Sequence, residues 1–93
     1  MSFNSHRRKL LDESEPIEHR ASHARSCALH VANALGLTRE SVIELVAKES
    51  GVDLHRPGSV AELMSAFATL EALRANAAER NHKFQRTPDG AAE

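Results

Sequence analysis

The stretch Ala28–Ala47, ALHVANALGLTRESVIELVA, decides how the rest of the chain is read. Its apolar residues recur at helical spacing on both sides of Gly36, which predicts a helix, a short turn and a second helix. Val31, Ala32 and Leu35 are expected to face inward on the first helix, Leu37 to sit in the turn, and Val42 and Leu45 to face inward on the second. Gly36 suits the left-handed residue that ends a helix, and Thr38 suits the cap that starts one.

Working upstream, Ile17, Ala21, Ala24 and Ala28 extend the same stripe at steps of three and four. Ser14–Glu15–Pro16 supplies a start signal: a capping hydroxyl, an acid for the positive end and a proline tolerated in the first turn. The first helix is therefore expected over 15–35. The second, over 39–50, has Val42, Leu45 and Val46 on its inner face with Ile43 alongside, and Gly51 ends it. Val52 to Gly58 reads as a loop with Val52 and Leu54 tucked against the core. Ser59–Val60–Ala61–Glu62 is a capping box that opens a third helix over 59–82. Val60, Leu63, Phe67, Leu70 and Leu73 form its stripe, widened by Met64, Ala66 and Ala77. The residues expected to be most deeply buried are Leu35, Val42, Leu45, Leu63, Phe67 and Leu70.

Outside these helices the signals fade. A helix spanning residues 1–13 would set His6, Arg7 and Arg8 early and Asp12 and Glu13 late, against the helix dipole. That segment is read as a flexible basic arm. Thr87–Pro88–Asp89–Gly90 is turn chemistry, so 86–93 is read as a disordered tail. The expected fold is all-α: a compact three-helix domain over 14–85 with flexible N- and C-terminal tails.

Composition narrows the function classes. The chain has 93 residues, 12 basic and 13 acidic, for a formal net charge of −1, so no overall field draws it to nucleic acid or an anionic membrane. The single Cys27 rules out an internal disulfide and fits a reducing cytoplasm. No apolar run is long enough to span a bilayer, and charges follow Leu10–Leu11 too closely for a signal peptide.

The layout of Ala28–Ala47, with a small residue at Ala32, glycine in the turn and apolar residues at Val42 and Leu45, resembles the helix-turn-helix of bacterial transcription regulators. That resemblance implies that residues 39–50 form a recognition helix whose outward N-terminal residues meet base edges. Arg39 and Ser41 are the residues suited to DNA contact. Glu40 and Glu44 oppose it, because duplex DNA carries one negative charge per ~1.7 Å of axis. The helix holds two basic and three acidic residues, and the compensating cations on offer are Arg20, Arg25 and the Arg7–Lys9 arm.

His19, His23, Cys27 and His30 share one stripe of the first helix. Strung over about 16 Å they do not converge on one ion, so no metal is expected; a polar-to-intermediate edge of the helix is the reading they favour, with pH sensitivity of an interface there near 6–7 as the hypothesis it raises. Cys27, mid-helix among alanines, reads as an inert small hydrophobe. No phosphate loop and no nucleophile–base pair stands out, so no enzyme, no catalytic residue and no cofactor are expected.

Alanine-rich faces at Ala21/Ala24/Ala28 and at Ala66/Ala72/Ala75/Ala77/Ala78 exceed the needs of one three-helix core, an excess that reflects either alanine's helix propensity or the docking of another helix. In size and make-up the chain is similar to small helical bacterial regulators, among them antiactivators that hold transcription factors in an inactive complex. The reading is a non-enzymatic regulatory protein that binds another protein, such as a transcription regulator, or a second copy of itself, through Arg39, Glu40, Ile43, Glu44 and Ala47. A direct DNA-binding regulator is the alternative, and an accessory subunit the third.

Overall fold

A computed structural model describes the backbone of residues 2–92 and the side chains of residues 2–79. It is all-α, and among the described residues there is no strand. Four helices follow in order: α1 (Phe3–Leu10), α2 (Ile17–Leu35), α3 (Arg39–Ser50) and α4 (Val60–Ala92). The central element is α2, which packs against each of the other three, while α3 also touches α4.

The helix-turn-helix segment forms as its local signals dictate. Gly36 adopts φ 71°, and the Leu37 amide donates to the Ala32 carbonyl at 2.8 Å, closing the end of α2. Thr38 caps α3, its hydroxyl oxygen accepting from the Ser41 amide at 3.1 Å. Gly51, at φ 77°, ends α3 with a bond to the Ala47 carbonyl. The Ser59 hydroxyl accepts from the Glu62 amide at 3.1 Å. The Glu62 carboxylate reaches back to the Gly58 amide at 3.0 Å, one residue earlier than the usual reciprocal bond. Ser59→Ala should therefore lower stability by about 1 kcal/mol. Thermal melting should register this as a drop of about 4–8 °C; an unchanged midpoint would show that the cap contributes nothing.

The first correction to the sequence reading lies at the N-terminus, where a helix replaces the flexible arm. The helix is shorter than 1–13, and that reverses the dipole argument. With Ser2 as its cap, accepting from the Ser5 amide at 3.2 Å, α1 ends at Leu10. Arg7, Arg8 and Lys9 then occupy its last turn, where cations are favoured, and Asp12 lies outside it. Phe3 and Leu10 are buried at its two ends. The Phe3 ring stacks on Phe67 of α4 at 6.1 Å between centroids, and the Arg74 guanidinium lies over its face at 4.1 Å. Arg20 of α2, only 5% exposed, donates from Nε to the Leu10 carbonyl at 2.6 Å and so satisfies the helix end.

Other boundaries shift with it. Ser14 does not cap α2; its amide and hydroxyl both donate to Asp12 Oδ1, and α2 begins after Pro16. The last helix passes the expected stop near residue 82 and runs to Ala92 in place of a tail from residue 86, its side chains beyond Glu79 lying outside the described residues. No glycine or proline interrupts the chain between Ser59 and Thr87, so no local signal stops the helix there.

The core joins Ala24, Cys27, Ala28 and Val31 of α2 to Val42 and Val46 of α3 and to Leu63, Phe67 and Leu70 of α4. Val52 and Leu54 of the α3–α4 loop are buried in it, as expected. Leu35 is only partly buried, and Val60 and Leu37 are exposed. The rotational phase of α3 is the second correction: Ile43 is 3% exposed and Leu45 36%, the reverse of the expected placement.

Candidate functional site

The outward face of the helix-turn-helix segment is the candidate surface. Three of the chain's exposed large apolar residues belong to it: Leu29 on α2, Leu37 in the turn and Leu45 on α3. Around Leu45, one helical turn either way, stand Ser41 and Lys48–Glu49. Of the five residues proposed from sequence for partner contact, Arg39, Glu40 and Glu44 are exposed and Ala47 is half-buried. Ile43 is withdrawn from that set because it lies in the core. Leu45 takes its place as the apolar centre. Periodicity alone did not separate the two, since each flanks the Val42/Val46 stripe.

Polar bonds fix the N-terminal end of α3. Arg39 Nη2 meets Glu40 Oε2 at 3.3 Å, and His55 Nε2 of the α3–α4 loop meets Glu40 Oε1 at 2.9 Å. The His55 hydrogen bond, aided by the charges of His55 and Arg39, holds the Glu40 carboxyl below its usual range, so it stays ionised at neutral pH. His55 is itself held by a bond from its amide to Asp53 Oδ1 at 2.8 Å. The Thr38 hydroxyl donates to the Ser41 hydroxyl at 2.9 Å. Of the two residues suited to base contact, Ser41 is bonded by Thr38, while Arg39 meets its neighbour Glu40 on the exposed surface.

The cations that a DNA-reading helix would draw on are engaged elsewhere. Arg20 holds the end of α1. Arg25 donates from Nη1 to the Leu54 carbonyl at 2.9 Å, pinning the loop onto α2. Arg7 donates from Nε to Glu71 Oε2 at 2.8 Å, tying α1 to α4. Only Arg8 and Lys9 of the basic N-terminal residues are exposed.

A groove of about 350 Å³ lies beside this face, between the first turns of α2 and the loop. Ile17, Ala21 and Pro57 give it an apolar floor, with Arg25, Arg56 and Glu18 at its rim. A second depression of about 330 Å³ is lined by Ala34 of α2 and by Arg74, Ala75 and Ala78 of α4. The alanine face of α4 thus borders open space near its middle.

The histidine stripe divides between two sets of partners. His19 pairs with Glu15 at 3.3 Å. His23 and His30 meet His6 of α1, an encounter invisible from sequence as long as residues 1–13 are a loose arm. Among the described residues no three His, Cys, Asp or Glu side chains are grouped to hold a metal ion. Cys27 is fully buried, its Sγ contacting the Phe3 carbonyl at 3.7 Å, and burial pushes its thiol up to about 12. It is un-ionised at neutral pH and packs as a small apolar group. Among the described residues, no helix is long and apolar enough to cross a membrane.

Comparison of the chain with protein-family models, curated proteins and solved structures found no match.

Proposed function

We propose that the protein is a non-enzymatic regulator, a component of transcriptional control, that binds another protein through the outward face of its helix-turn-helix segment. The observation that carries this reading is the composition of that face. Exposed Leu37 and Leu45 are set among Arg39, Glu40, Glu44 and Lys48. An apolar centre rimmed by charges of both signs suits a protein groove better than a phosphate backbone. The internal engagement of Arg7, Arg20 and Arg25 supports it, because the cations that would offset Glu40 and Glu44 on DNA hold the fold together instead.

The test is capture from a lysate of the native source, with tagged wild-type chain and the Leu45→Glu variant in parallel and co-purifying proteins identified by mass spectrometry. The reading expects a stoichiometric protein partner that Leu45→Glu loses while its helicity is unchanged. A partner retained undiminished by Leu45→Glu, or no partner at all, would remove the support for this face.

A further inference from the structure

Three imidazoles from two helices meet where α1 lies on α2. His6 Nδ1 and His23 Nδ1 are 2.9 Å apart, and the His6 ring centroid lies 5.2 Å from that of His23 and 5.8 Å from that of His30. We propose that this cluster is a proton-operated latch, which holds α1 closed at neutral pH and releases it from α2 and α4 in mild acid.

The latch follows from the chemistry of the contact. Two imidazole nitrogens at 2.9 Å bond only if one carries the proton and the other offers its lone pair. A first added proton goes to an outer nitrogen of the donor ring and leaves the bond intact. A second must go to the accepting nitrogen, setting two N–H groups head to head between two cations. The closed arrangement therefore admits one proton on this pair and refuses the next, while free imidazoles take up both as pH falls through their ordinary range.

The surroundings do not offset that charge. Arg7 neighbours His6 on α1, and Arg74 of α4 lies over Phe3, the residue one turn before His6. Glu71 of α4 faces the same region, but its carboxylate is bound by Arg7 at 2.8 Å. From α2 the other groups facing α1 are Arg20, a cation held at the Leu10 carbonyl, and Cys27, buried and neutral. The direction of the His6 pKa agrees: burial, then the charges of His23, the chain's amino terminus and His30, hold it below its ordinary 6.5. A histidine with a depressed folded pKa favours the closed form fully above pH 6.5, and that preference erodes as pH drops below it.

Release has a defined consequence. Phe3 and Leu10 leave their sites, and the face of α2 and α4 beneath them, including Phe67 and Cys27, opens to solvent. Cys27 is the only cysteine, so its reaction reports opening directly.

The experiment measures reaction of Cys27 with 4,4′-dithiodipyridine, which works in acid, in the full-length chain at pH 7.5 and pH 5.0. Rates are divided by those of an unstructured cysteine peptide, because an ordinary thiol slows as it loses thiolate in acid. Amide exchange of residues 3–10 is followed in parallel, corrected for intrinsic rates. The normalised thiol rate should rise, and α1 protection fall, by up to about thirtyfold at pH 5.0, the limit set by one proton that the open form binds at the ordinary 6.5 and the closed form refuses. Protection in α2 and α3 should persist. His6→Gln and His23→Gln each remove one titrating ring, and both should make the two readouts nearly independent of pH. Unchanged Cys27 reactivity and α1 protection in the wild type would overturn the latch. So would an acid response equal in the wild type and both variants, or a loss of protection spread evenly over all four helices.

Discussion

Phe67→Ala is expected to destabilise the protein by about 3–5 kcal/mol, the range typical for removing a buried aromatic ring. Phe67 is 3% exposed at the junction of α1, α2 and α4, and its ring stacks on Phe3. Its loss leaves a cavity in a core rich in alanine, and Ala24, Ala28 and Ala66 carry only a methyl group with no rotamer to swing into it. A domain of this size has roughly 5–14 kcal/mol of total stability, so the variant should melt far below the parent or fail to fold near physiological temperature. Urea unfolding measures it directly. A midpoint within a few degrees or a few tenths molar of the wild type would place Phe67 outside the core. Phe3→Ala is the informative companion: it should weaken α1 selectively, because Phe3 contributes to one end of one helix.

The second large effect is a contrast on one helix turn. Ile43→Glu places a carboxylate where the side chain is 3% exposed, within the apolar core. An uncompensated buried charge belongs to the class of substitutions that cost more than about 4 kcal/mol, so this variant should lose its cooperative melting transition. Leu45→Glu, two residues on and 36% exposed, should stay within about 0.5 kcal/mol of the parent. Circular dichroism of the two variants decides the phase of α3. Equal melting of both, or a reversal of their order, would turn the helix back to the phase read from periodicity.

The contrast also shows where sequence reasoning stopped. Helix ends set by local chemistry were legible: Gly36, Thr38, Gly51 and Ser59 do in the fold what their residue types dictate. The loop anchors Val52 and Leu54 were legible for the same kind of reason, being apolar residues in a short connection. The phase of α3 was not. Val42 and Val46 define a stripe that either Ile43 or Leu45 can widen, and the polar residues at the helix ends favour neither. Packing against α2 and α4 makes the choice, and periodicity does not contain it.

The N-terminal helix was hidden by a boundary. Asp12 and Glu13 argue against a helix only if it includes them; one ending at Leu10 turns Arg7, Arg8 and Lys9 into favourable last-turn charges. Misplacing that end also concealed the histidine cluster, since His23 and His30 have no reason to matter until His6 is brought to them. The spacing of Phe3, His6, Arg7 and Leu10, at helical steps of three, one and three, was the signal available.

The central claim is that the helix-turn-helix segment engages protein and not DNA, and duplex binding tests it most directly. Fluorescence anisotropy of labelled genomic fragments, titrated with the full-length chain at ~150 mM salt, should show no saturable binding, because a protein that neutralises few phosphates retains little affinity at that ionic strength. Micromolar or tighter binding that falls steeply with added salt and is weakened by Arg39→Ala would contradict the account and make α3 a recognition helix.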